Sequence, residues 1–185
     1  MGCICFFTSQ KAFSQEVQFY KEDLTFEIKD GRFSVSGKYY LRNTDDRDRT
    51  VSLIYPFPQD SLYEPVDTIY IYNINKAEEI KPLELKMEYS VFQIEIEAKE
   101  SAEVLIHYSQ KLNACKAEYI LTTTKSWKRG FEEARYQLIS DGKTEFTHFS
   151  YPPDSSFISG INRIYYWERE SFMPDKNFVF EFDCE

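Results

Sequence analysis

"LTFEIKDGRFSVSGKYYL", residues Leu24–Leu41, alternates apolar and polar side chains on both sides of Asp30-Gly31. Leu24, Phe26 and Ile28 fall on one parity before the break, and Phe33, Val35, Gly37, Tyr39 and Leu41 on one parity after it. Successive side chains of a strand point to opposite faces, so each half predicts a strand with one apolar face. Asp and Gly both tolerate the positive φ that a tight turn needs, and the pair predicts a β-hairpin.

The pattern continues outward from that hairpin. After the polar Asn43–Arg49 the alternation restarts at Val51, Leu53, Tyr55 and Phe57. Further runs follow at 69–74, 83–87, 92–96, 104–108, 119–123, 146–149, 164–167 and 178–182. Turn signals at intervals of roughly 8–12 residues describe an all-β chain, a single antiparallel β-sandwich of roughly ten to twelve short strands with little helix. The nearest helical candidate, Asn75–Ile80, is stopped by Pro82.

Composition agrees. Of 185 residues 42% are hydrophobic, enough for one core, and 17% are aromatic, with 14 Tyr and 16 Phe against 6 Gly. No linker or repeat divides the chain, so 16–185 reads as one domain and 1–15 as a signal-peptide remnant or disordered start. A net charge of −9 repels phosphate backbones, which excludes nucleic acid as a partner class. No apolar run reaches the length of about 18 residues that a transmembrane helix needs.

The start, "MGCICFFTSQKAFSQE", places Ala12 and Ser14 as the small residues of a signal-peptidase site, which predicts cleavage after Ser14 and export to the periplasm or cell surface. N-myristoylation would need Ser or Thr where Phe6 stands. Cleavage would remove Cys3 and Cys5 and leave Cys115 and Cys184, either as a disulfide or as two unpaired thiols. If the start is instead retained, Cys3 and Cys5 make a thiol protein the alternative.

"SWKRGFEEARYQL", Ser126–Leu138, gathers a tryptophan, three basic residues and two carboxylates. As a helix it would set Phe131, Ala134 and Leu138 on one face; as a strand, in keeping with the strands around it, it turns Ala134, Tyr136 and Leu138 to the core. Trp127 and Arg135 then form a candidate patch for an anionic or sugar ligand. Equally, Trp127 plugs the sandwich end and Arg135 pairs with Glu133 or a cross-strand acid. In "INRIYYWERESF", Ile161–Phe172, Tyr165 and Trp167 share one face and Tyr166 takes the other. The candidate ligand-binding residues are therefore Trp127, Arg135, Tyr165 and Trp167, as aromatic anchors and their charged neighbour. His107 and His148 are isolated, and no GxSxG or glycine-rich phosphate loop occurs, so no catalytic residue, metal ligand or cofactor is assigned.

"GKYYLRNTDDRDRTVSLIYPFP" (37–58) and "YILTTTKSWKRGFEEARYQL" (119–138) resemble exported bacterial β-sandwich domains of unknown function: a strand ending in Asn, then a "YPFP"-like strand, and later a Thr-rich strand with a Trp-containing turn. The resemblance implies secretion and a sandwich. The sequence thus describes an exported non-catalytic binding module that meets a protein or glycan partner through exposed aromatics and sheet edges. The alternative is an extracytoplasmic carbohydrate-active hydrolase with acids from separate strands, which needs two carboxylates about 5–10 Å apart.

Overall fold

The computed structural model describes residues 16–59, 61–66 and 68–184. The proposed processing site lies outside these residues. The hairpin forms as its sequence predicts: β1 (Val17–Lys29) and β2 (Arg32–Asn43) are joined by Asp30 and Gly31, with φ of 51° and 68°.

The remaining strands among the described residues are β3 (Arg49–Pro56), β4 (Ile69–Asn73), β5 (Glu78–Glu79), β6 (Glu84–Leu85), β7 (Tyr89–Ile96), β8 (Ser101–Lys111) and β9 (Lys116–Tyr119). A 3-10 turn, Thr122–Trp127, follows, and then β10 (Phe131–Asp141), β11 (Phe146–Phe149), β12 (Ser155–Ser159), β13 (Asn162–Phe172) and β14 (Phe178–Phe182). Two of these, β5 and β6, are two-residue ladders.

The architecture is all-β and sandwich-like. One layer is an eight-stranded sheet in the order β12-β13-β10-β1-β2-β8-β4-β5. The other layer is split into two three-stranded sheets, β3-β7-β6 and β11-β14-β9. Both lie on the inner face of the large sheet. Tyr55 and Phe57 from the β3 side pack on Tyr108 with ring centroids 5.7 and 5.1 Å apart. From the other small sheet Phe178 and Phe180 pack on Phe26 at 5.6 and 5.3 Å.

Two features depart from a plain antiparallel sandwich. β1 pairs β10 in parallel, although every other ladder is antiparallel among the described residues. The Thr-rich run expected as strand over 119–123 stops at Tyr119 and turns into the 3-10 segment, which ends at Lys128 in the left-handed region (φ 57°).

Within β1 the register against β2 shifts between Phe19 and Lys21. Val17 faces the core before the shift, and Glu22, Leu24, Phe26 and Ile28 face it afterwards. One extra residue in a strand reverses the parity of everything beyond it. A carboxylate thereby enters an apolar layer.

Asn43, at the end of β2, ties the layers together. Its Nδ2 donates to the carbonyls of Arg47, Ile96 and Glu97 at 2.8–3.1 Å, and its Oδ1 accepts from the Asp45 amide at 3.0 Å.

Candidate functional site: a cavity at the seam of the split layer

The two small sheets leave a cavity of about 380 Å³ where they meet over the large sheet. That lies within the roughly 300–1,000 Å³ usual for small-molecule sites. Its floor comes from the large sheet: Phe19 and Glu22 of β1, Tyr39 and Leu41 of β2, and Val104 and Ile106 of β8. One wall is Leu53, Ile54, Tyr55 and Phe92 of β3 and β7, and the other is Tyr119 of β9 with the segment running to Trp127. Ile54, 62% exposed, and the half-buried Trp127 stand at the mouth.

Glu22 is the one charged side chain among the lining residues. It is 1% exposed, and the Tyr136 hydroxyl donates to its Oε1 at 2.6 Å. Burial pushes its carboxyl up to about 8, opposed by the Tyr136 hydrogen bond and reinforced by neighbouring Asp23. The cause is desolvation: a charge removed from water without a cationic partner is disfavoured, so the group keeps its proton at neutral pH.

Three phenols add to the polar lining, beside Thr122, Thr123, Thr124 and Ser126 of the closing segment. The Tyr39 hydroxyl bonds those of Tyr55 (2.7 Å) and Tyr119 (3.1 Å). Burial holds all three well above the ordinary phenol range, so they act as neutral donors and acceptors. Gly37 makes the arrangement possible, since a Cβ there would stand 2.8 Å from both Cε2 and the hydroxyl of Tyr39.

Asn177 fixes the segment that closes the cavity. Its Oδ1 accepts from the backbone amides of Leu121 (3.1 Å) and Thr122 (3.2 Å) and from the Thr122 hydroxyl (2.9 Å), while its Nδ2 donates to Glu118 at 2.7 Å. The turn then brings Trp127 edge-on to Phe19 at 5.9 Å, and Phe19 edge-on to Phe131 at 4.8 Å.

The four expected ligand-binding residues are not brought together. Trp127 lies at the cavity mouth. Arg135 faces out on the opposite side of the large sheet, bonded to Glu168 at 3.0 Å and ion-paired with Glu133. Tyr165 and Trp167 require a correction: they are 7% and 1% exposed and belong to the core, not to a recognition platform. The inward parity of β13 packs them on Phe149 at 5.0 and 5.9 Å, and the Trp167 indole N–H is used on the Tyr151 carbonyl at 2.8 Å. Tyr166 takes the outer face and stacks on Phe157 at 5.7 Å.

Cys115 and Cys184 stand as a disulfide, with Cα atoms 5.5 Å apart and a sequence separation of 69. It ties the approach to β9 to the residues that follow β14. Among the described residues no helix is long and apolar enough to cross a membrane. No group of three or more His, Cys, Asp or Glu among them could hold a metal.

No protein-family model matches the chain. No curated protein matches it in sequence. Solved structures do. One is a protein from Legionella pneumophila provisionally assigned as a nutrient binding protein, 15% identical with a TM-score of 0.70, matching 89% of this chain and 66% of its own. Another is a mutant M1 zinc metallopeptidase from Deinococcus radiodurans bound to a tripeptide substrate, 6% identical with a TM-score of 0.56, matching 90% of this chain and 42% of its own. A two-domain M1 zinc metallopeptidase bound to L-tryptophan, also 6% identical, gives a TM-score of 0.55 with 90% and 43% matched. At these identities the likeness shows the fold. The chain spans 66% of the first relative and less than half of the peptidases.

Apart from Trp127 the cavity residues were not singled out from sequence, yet one signal was present. The apolar positions of "VQFYKEDLTFEI" run 17, 19 and then 24, 26, 28, a change from odd to even that requires an irregularity between them. That irregularity turns Glu22 inward.

Proposed function

We propose that the protein is a non-catalytic, exported binding module whose small ligand occupies the seam cavity. The observation that carries this reading is the cavity itself: preformed, mostly apolar, with a few convergent polar groups and one strongly perturbed carboxyl, the usual constitution of a binding site. The provisional assignment of the Legionella neighbour as a nutrient binding protein fits it. The Cys115–Cys184 bond fits an oxidising compartment.

The site differs from the surface patch expected from sequence. Recognition passes from exposed rings to enclosed ones, with Trp127 the shared residue. A two-acid hydrolase finds no support in this cavity, because Glu22 is the single carboxyl among the described residues that line it.

The test is an NMR titration of the labelled protein with small-molecule fractions of the host's medium. Expected are shifts at Tyr39, Tyr55, Tyr119 and Trp127, abolished by Leu53→Trp, which fills the cavity from its wall. Shifts confined to the outer face of the large sheet or to β12, or binding that survives Leu53→Trp, would overturn the reading. Export is tested separately by intact mass of protein from the native host: a chain beginning at Gln15 with Cys115 and Cys184 oxidised is expected, and one retaining reduced Cys3 and Cys5 refutes it.

A further inference from the structure

We propose that the ligand of this cavity is a small organic cation with an apolar body, its charge held by the Glu22 carboxylate among the rings of Tyr39, Tyr55, Tyr119 and Trp127. The inference rests on the binding reading above and adds the ligand class.

Glu22 is buried at the cavity wall, and no Lys, Arg or His is found among the residues that line it. Its one hydrogen-bond donor, Tyr136, satisfies Oε1 alone. A buried carboxylate is tolerated where a positive charge accompanies it. Among the described residues that line the cavity none supplies it, and an entering cation would.

The surroundings select the kind of cation. Aromatic rings attract cations through their quadrupole, and more strongly when the pair is desolvated. Tyr39, Tyr55 and Tyr119 join their hydroxyls in two hydrogen bonds, and their rings add aromatic surface for a guest. Leu41, Leu53, Phe92, Val104 and Ile106 line the apolar part, while Thr122, Thr123, Thr124 and Ser126 belong to the closing segment, so a hydrated metal ion would leave polar groups unmatched against the apolar part. An alkylated or primary amine with a hydrocarbon portion matches both surfaces. An anion would meet Glu22 and no countercharge.

Binding then exchanges one cation for another: the Glu22 O–H bond breaks, the proton leaves to solvent, and the ligand's charge replaces it beside the carboxylate. The titratable groups around Glu22 are Tyr136, Tyr39, Tyr55 and Tyr119, all neutral phenols, and Asp23, its neighbour on β1. Because the empty carboxyl ionises at about 8, affinity rises with pH by about tenfold per unit up to that point and levels off above it.

The experiment uses choline and its neutral isostere 3,3-dimethylbutan-1-ol, titrated calorimetrically into the wild-type protein, Glu22→Gln and Trp127→Ala at pH 6, 7 and 8.5. Choline is expected to bind at least tenfold more tightly than the alcohol at pH 8.5, and to weaken about tenfold for each unit below 8. Glu22→Gln should remove both the preference and the pH dependence while leaving the alcohol unaffected. Trp127→Ala, in which the carboxyl is intact, should weaken choline about tenfold and keep its pH profile. Equal binding of the isostere overturns the cation and leaves the cavity as a neutral-ligand site. Choline affinity that ignores pH or Glu22→Gln overturns it too. If neither compound binds, the proposal fails, and the Leu53→Trp titration decides independently whether the cavity binds anything.

Discussion

The Tyr136 hydroxyl donates to Glu22 Oε1 at 2.6 Å, joining residues 114 apart in sequence on neighbouring parallel strands. The hydrogen bond offsets part of the desolvation of a carboxyl that shares its cavity with no cationic side chain among the described residues. The consequence is a measurable proton.

Between pH 4.5 and about 8 the folded protein holds a proton on Glu22 that the unfolded chain has released. Stability therefore falls as pH rises across that window, by about 1.4 kcal/mol per unit from this group, and the effect ends above the folded pKa. Glu22→Gln should lack that slope and gain on the wild type steadily from pH 5 to pH 8. Urea unfolding of both proteins at four pH values checks this; parallel profiles would contradict it.

Two buried tyrosines predict opposite outcomes. Tyr39→Phe strands the hydroxyls of Tyr55 and Tyr119 and should cost about 1–3 kcal/mol. The Tyr108 hydroxyl, buried and without a hydrogen-bond partner among the described residues, gives up nothing when removed. Tyr108→Phe should be neutral or stabilising by up to about 1 kcal/mol, read from the same unfolding curves.

Asn177→Ala releases two backbone amides and a hydroxyl at the start of the closing turn. Hydrogen exchange should accelerate at residues 121–127 and remain unchanged in β1 and β2, with a loss of about 1–3 kcal/mol in global stability.

Replacing Cys115 and Cys184 together by serine opens a 69-residue loop and should cost about 2–4 kcal/mol. The large sheet persists, because neither cysteine lies in it. Thermal melts with and without reductant measure the difference.

The architecture was legible where local chemistry decides it. Asp30-Gly31 fixes the hairpin, and even-numbered versus odd-numbered apolar residues assign faces along β2 and β8. The split of the second layer was not, since the contacts that set it, such as Tyr55 on Tyr108 and Phe180 on Phe26, join residues far apart in sequence. Tyr165 and Trp167 were misplaced for a related reason. Both parities of "IYYWE" carry aromatics, and only the approach of Phe149 and Phe180 determines which face is covered. Glu22 escaped notice because its burial depends on one inserted residue, and a carboxylate beside Lys21 and Asp23 reads as part of a solvated face. Asn177 gave no signal at all, as its role is set by a turn 55 residues upstream.

The parallel pairing of β1 with β10 also sets an order of events. The hairpin of β1 and β2 closes over two turn residues, whereas β10 must return across more than a hundred residues to reach β1. Loop-closure entropy delays such a step. Until it happens Glu22 is a hydrated, ionised carboxylate. Proton uptake at neutral pH, followed with an indicator dye during refolding, is therefore a clock that strikes when β10 docks.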